Sequence, residues 1–259
     1  MVQTYSSSDL LLLGIEQRQF PRHLYKYRTI ESTKRFLDNS QIMFSSYDKF
    51  NDPFEFACIL DMNFSDDDFF SWLKKSTGLI PPPVHQIADN LLHSNKEQLH
   101  KTIREVIEEE KKNTGVYCLA SQPNNLLMWS HYAQDHTGIC LEFDLTKCPA
   151  VFYFLKKVIY NDDYPKINYI KKQDDIINPL FHKSKVWEYE EEWRVIKPRS
   201  SNQLFDIEKE ALTGIIFGCN FSGDEKEIRR LCSDNNFNAV RFKRAVKNDT
   251  SFRLDIIDI

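Results

Sequence analysis

The chain has 259 residues, 41% apolar and 28% charged, the balance of a globular protein large enough to bury a sizeable core. Lys and Arg number 34 against 38 Asp and Glu, and the net charge of −4 gives the whole molecule no electrostatic bias toward nucleic acid or an anionic membrane, although a local basic groove stays open. Six cysteines without a C-x-x-C pair fit neither a zinc site nor a disulfide framework, and no run approaches the roughly 18 apolar residues of a membrane helix. The N-terminus lacks the basic start and cleavage site of a signal peptide, so a cytoplasmic protein with reduced thiols and no membrane attachment is expected.

Residues 1–20 read as a lead-in with a short helix over Ser8–Gln17. Leu24–Arg28 alternates as a strand, with Tyr25 and Tyr27 on one face and Leu24, Lys26 and Arg28 on the other. A helix over Ile30–Asp38 and a strand over Gln41–Ser46 follow. Asn51-Asp52-Pro53 then turns the chain. From about residue 61 to 113 the pattern becomes helical, with helices expected from Asp66 through Lys75, over Val84–His93 and over Lys96–Lys112. This is read as a helical insertion within a single domain, 1–259. Its histidines, His85, His93 and His100, lack metal-ligand spacing and read as helix-surface residues.

Strand patterns resume at Gly115–Ser121. A helix over Leu126–His136, stopped near Gly138, leads to a strand over Ile139–Asp144, with Val158–Tyr160 expected to pair with it. Leu212–Gly218 is a continuous apolar strand. A helix over Asp224–Ser233 and strands over Ala239–Val246 and Phe252–Ile256 close the chain. Strands and helices in mixed order, without strict βαβ alternation, predict an α+β fold with mixed or antiparallel sheets and flanking helices.

The stretch Val186–Ile196 concentrates the chemistry: four acids and three large aromatics in eleven residues. Read as an extended strand, it puts Glu190, Glu192 and Arg194 on one face and Tyr189, Glu191, Trp193 and Val195 on the other. Three adjacent carboxylates repel one another unless a cation or a ligand hydroxyl meets them. Three further segments set polar groups beside aromatics: Tyr25–Arg28, Phe44–Asp52 and Trp129–Tyr132. Each has a plainer reading. Arg28 suits an ion pair as well as a ligand contact, Asn51-Asp52 suits a turn, and His131 suits a half-buried satisfied histidine. Phosphate-loop, dinucleotide-fold, nucleophile-elbow and H-E-x-x-H motifs are absent.

The ordered set Leu24–Arg28 (LYKYR), Phe44–Glu55 (FSSYDKFNDPFE), Leu127–Asp144 (LMWSHYAQDHTGICLEFD) and Trp187–Ile196 (WEYEEEWRVI) resembles the bacterial domain-of-unknown-function family 2971 across residues 23–245. More distantly, the chain is similar to ADP-ribosyltransferase folds, which place an Arg or His on a first strand, an aromatic-Ser/Thr-Ser element on a second and a Glu on a later one. That resemblance implies NAD as the cofactor and an ADP-ribosyltransferase-like core. Arg28 would meet the pyrophosphate and Phe44-Ser45-Ser46 would form the second element, with Ser45 on the carboxamide or ribose. Tyr25, Tyr27 or Tyr132 would stack on the nicotinamide, and Asn51, Asp52, Trp129 and Arg194 would complete the binding set. Glu192 would be the key acid, stabilising charge that develops on the ribose, and Glu190 would orient the acceptor, a protein or nucleic acid. No metal is required. The company such folds keep implies a toxin or phage-defence effector. Two other readings stand beside it. One is a non-catalytic nucleotide- or partner-binding module, and the other a metal-free nucleic-acid hydrolase using His131 with Glu192.

Overall fold

The computed structural model describes residues 6–77 and 96–259. The helix expected over Val84–His93, with His85 and His93, falls outside the described residues. The remaining chain forms an α+β architecture around one large mixed sheet with flanking helices. In chain order the strands are β1 (His23–Arg28), β2 (Gln41–Phe44), β3 (Ile59–Leu60), β4 (Gly115–Ala120), β5 (Ile139–Asp144), β6 (Leu155–Lys157) and β7 (Ile159–Asn161). They continue with β8 (Lys166–Ile167), β9 (His182–Ser184), β10 (Glu192–Lys197), β11 (Gln203–Asp206), β12 (Leu212–Phe217), β13 (Arg241–Lys247) and β14 (Leu254–Asp258). Eight of them build the main sheet in the order β14-β13-β12-β5-β1-β4-β10-β6. Every neighbouring pair is antiparallel except β12 and β13, which the helix Glu225–Asp234 joins as a parallel crossover.

Local signals account for most of the helix ends. Ser6 and Asp9 form a reciprocal capping box at the start of Ser7–Glu16, and Thr29 caps Ile30–Asn39 by accepting from the Ser32 N–H. Ser65 caps Asp66–Thr77, exchanging bonds with Asp68. That helix and Lys96–Asn113 bury Phe69, Leu73, Leu99, Ile103 and Ile107 with Ile167 and Ile170, an apolar cluster separate from the main core.

The main core lies on one face of the sheet. Leu24, Tyr117, Leu119, Leu141, Phe143, Val195, Ile215 and Phe217 point there and pack on Phe36, Leu37, Ile228 and Phe237. Alternation sends the neighbours of these residues to the opposite face, where Tyr25, Tyr27, Cys118, Ala120, Cys140, Glu192, Arg194 and Ile216 lie.

Three differences from expectation bear on the site. Lys185–Glu190 is a turn of 3₁₀ helix, and the strand begins only at Glu192. Ile159–Asn161 pairs in parallel with β9, because β1 and β12 already occupy both edges of β5. The helix after Asn125 ends at Tyr132, four residues before the expected end at His136, because Gln134, Asp135 and His136 all take left-handed backbone angles.

A candidate active site at a split in the sheet

Strands β1 and β4 are neighbours, yet their register is held at a single pair, Tyr25 opposite Ala120. Farther along, the free edge of β4 is taken by Ser45, whose N–H and carbonyl exchange bonds with Val116 at 3.0 and 2.9 Å. Between these two contacts a strand-pairing bond to the Cys118 carbonyl is replaced by Lys26 Nζ, donating at 2.6 Å. A buried carbonyl needs a donor, and a flexible side chain supplies one without closing the ladder. The split leaves a hollow on each face, and Lys26, Phe50 and Cys118 line both.

The first hollow, about 150 Å³, lies on the face of Tyr25 and Tyr27. Four chain segments build it. Strand β10 supplies Glu192 and Arg194, both buried. Arg194 clamps Glu192 with two bonds of 2.9 Å, donates to the Leu180 carbonyl at 2.7 Å and also pairs with Glu55. Its guanidinium lies over the Phe56 ring, 5.1 Å from the centroid. Glu55 reaches this position because the chain folds on itself on both sides of it: Asp52 accepts from the Phe54 N–H at 2.9 Å before it, and Phe56 takes a left-handed conformation after it.

Glu190 arrives differently. The 3₁₀ turn ends on it, and Glu191 takes a left-handed conformation at φ 43° and points outward, exposed. The chain thereby delivers Glu190 and Glu192 into one hollow and expels the carboxylate between them. Glu190 accepts from the Tyr132 hydroxyl at 2.7 Å and from Lys183 Nζ at 2.5 Å. Lys183 stands 3.5 Å from Glu192 as well. It is set there by β9 pairing with β7, whose Tyr160 hydroxyl accepts from the Glu192 N–H at 2.8 Å. Asn125 places Tyr132: its side-chain oxygen caps Leu126–Tyr132 and its amide donates to the Tyr189 carbonyl at 2.6 Å. Asn51 Nδ2 then lies 3.2 Å from the Tyr132 hydroxyl.

The charges tune one another. Burial pushes the Glu192 carboxyl up, but Arg194 and Lys183 outweigh it and hold the group down at about 2. Burial raises Glu55 by more than Arg194 lowers it. Burial alone would lower Lys183, yet Glu192, Glu190 and Glu55 keep it above its usual value. Tyr132 is raised by burial and then by Glu190, so its hydroxyl stays a proton donor. Tyr25 is pushed up to about 12, chiefly by burial and next by Glu142.

Seven of the residues singled out in the sequence line this hollow: Tyr25, Tyr27, Asn51, Tyr132, Glu190, Glu192 and Arg194. Arg28 and Ser45 line the other hollow, on the core face of the sheet. Phe44 and Trp129 are wholly buried: Phe44 packs on Phe205 and Tyr117, and Trp129 donates to the Pro123 carbonyl and meets Tyr27 edge-on. Ser46 and Asp52 are buried turn-formers, and Ser46 bonds the Lys112 carbonyl. His131 is exposed, its ring beside those of Tyr132 and Tyr189, outside the lining that contains Glu192. Sequence reasoning passed over Lys183, Glu55 and Lys26. The demand of adjacent carboxylates for a cation, with the basic run His182–Lys185 just upstream, was the available signal for Lys183.

Residues 128–195 match the family model described as "Protein of unknown function (DUF2971)", a span that takes in most of the third and fourth motifs. No curated protein and no solved structure matches the chain. The likeness to ADP-ribosyltransferases therefore rests on the residues alone.

Proposed function

We propose that the protein is an NAD-dependent ADP-ribosyltransferase-like enzyme whose reaction centre is the hollow of Glu190, Tyr132 and Lys183. The observation that carries this reading is the state of the two carboxylates. Each Glu192 oxygen takes a bond from Arg194, and Lys183 at 3.5 Å and the Cys118 thiol also meet that carboxylate, while each Glu190 oxygen takes a single protein donor and retains capacity for a ligand hydroxyl. Glu190 is thus the carboxylate placed to address a ribose, and Glu192 backs it by holding Lys183 and Arg194 in position.

The fit to NAD is partial in a defined way. About 150 Å³ is small beside the roughly 300–1,000 Å³ of whole-ligand sites and suits one ring-sized fragment, the nicotinamide end. NAD would supply an electrophilic ribose carbon whose cationic nicotinamide substituent takes the bonding pair and departs as neutral nicotinamide. Glu190 stabilises positive charge that develops at that carbon and accepts the acceptor nucleophile's proton. Tyr132 and Lys183 hold the Glu190 carboxylate in place through one hydrogen bond to each oxygen. Tyr25 presents a ring to the nicotinamide.

The locked Glu192–Arg194–Glu55 network favours a second reading, a binding module in which these charges are purely structural. One experiment separates the two. Glu190→Gln is expected to lower nicotinamide release by about 10²-fold while far-UV circular dichroism and NAD-induced thermal stabilisation persist. NAD binding by the wild type without nicotinamide release, against protein and nucleic-acid acceptors, selects the binding module. Absence of both ends the NAD reading.

A further inference from the structure

The hollow on the core face of the split is chemically unlike the first. It measures about 470 Å³, and the described residues that line it include Lys26, Arg28 and Arg35 but no Asp or Glu. Two polar atoms in its walls are buried with no hydrogen-bond partner: Arg28 Nη1 and the hydroxyl of Tyr117, a residue only 4% exposed. Buried donors left unpaired cost stability, and native proteins rarely retain two in one place. The Arg28 guanidinium lies over the Phe36 ring, 5.6 Å from its centroid. The Lys26 ammonium lies 4.9 Å from the Tyr117 ring centroid. Ser45 adds a hydroxyl to the lining, while Phe50 and Leu204 give it an apolar side.

From this geometry we infer a second ligand site that takes a phosphate ester, with Arg28, Arg35 and Tyr117 meeting the phosphate and Phe50 and Leu204 flanking the attached group. A phosphate accepts several hydrogen bonds at once and carries the charge that the Arg28 guanidinium attracts, with Arg35, whose exposed Glu31 partner lies 3.8 Å away, free to turn toward it. A carboxylate would satisfy fewer of the donors. The volume falls in the range of small-molecule sites. Arg28 and Glu192 project from opposite faces of the sheet, so the phosphate-binding groups differ from those of the proposed reaction centre, although Lys26, Phe50 and Cys118 border both hollows, and the inference does not depend on NAD chemistry.

The test is thermal unfolding and equilibrium binding of the full chain with inorganic pyrophosphate and with ADP, sulfate serving as control. At a hundredfold excess over Kd, either ligand is expected to raise the unfolding midpoint by about 5 °C for a chain of this length. Tyr117→Phe removes only the unpaired hydroxyl. Its ligand-free midpoint is expected to equal or exceed that of the wild type, while pyrophosphate binding weakens about tenfold. Arg28→Met is expected to weaken binding further, and Glu190→Gln to leave it unchanged. The inference is overturned if neither pyrophosphate nor ADP shifts the wild type, or if Tyr117→Phe binds as the wild type does. Competitive inhibition of NAD cleavage by ADP would also overturn it, since one dinucleotide would then span both hollows.

Discussion

Replacing Arg194 by Met tests the electrostatic centre of the molecule. The guanidinium is 1% exposed and neutralises Glu192 and Glu55, and it also satisfies the Leu180 carbonyl. Methionine fills much of the volume but leaves two carboxylates in a dry interior with only Lys183 near them. Two routes give the magnitude. Removing one partner of a buried pair costs about 3–5 kcal/mol. Independently, a Glu192 carboxyl held at about 2 against its usual 4.5 corresponds to about 3 kcal/mol of stability at neutral pH. Either figure is a large share of the roughly 5–15 kcal/mol of a folded domain.

The pH dependence carries a sign. In the wild type the folded value lies below the unfolded one, so this stabilisation is complete above about pH 4.5 and is lost as the pH falls toward 2. In Arg194→Met, burial without its main countercharge drives the carboxyl upward, and protonation relieves the defect as the pH falls. Urea unfolding at pH 7 and pH 4 should therefore show a deficit of about 3–5 kcal/mol that shrinks in acid. In the Arg194→Met/Glu192→Gln double variant the loss should fall short of the sum of the single losses by at least about 1 kcal/mol. A deficit below about 1 kcal/mol, or one indifferent to pH, would refute the reasoning.

Gly218→Ala should destabilise by at least about 2 kcal/mol, seen as a drop of several degrees in the unfolding midpoint, because a Cβ there would sit 2.0 Å from the His136 carbonyl oxygen. A midpoint within a degree of the wild type would contradict that packing. Cys140, Cys148 and Cys232 are buried, and burial pushes Cys148 and Cys232 up to about 12 and holds Cys140 well above the usual thiol value. Alkylation in native buffer should spare these three thiols, and mass spectrometry should find them modified only after denaturation. Their rapid labelling in native buffer would show that the sheet opens.

How far the sequence disclosed the site depends on the kind of signal involved. Strands such as Ile139–Asp144 and Leu212–Phe217, buried on both faces, announce themselves as apolar runs. Short edge strands such as Leu155–Lys157 and Gln203–Asp206 do not, since few of their residues are buried and the pattern has no room to repeat. The acidic stretch was legible as chemistry but not as shape. A uniform strand over Val186–Ile196 and the observed 3₁₀ turn both bring Glu190 and Glu192 to one side, so their convergence was foreseen for a reason the backbone does not follow. No helix among the described residues is long and apolar enough to cross a membrane.

Composition and alternation by themselves determined that this chain forms an α+β protein, which strands carry tyrosines on one face and basic residues on the other, and that adjacent carboxylates would require cations. They are local properties, fixed by side-chain period and charge over a few residues. Only the tertiary structure decided that Lys183 is the cation for Glu190, that β1 parts from β4, and that Arg28 and Glu192 face opposite sides of the sheet. Those outcomes depend on strand order and register, which join residues as far apart as Gln41 and Asp206, and no local pattern along the chain encodes which strands become neighbours.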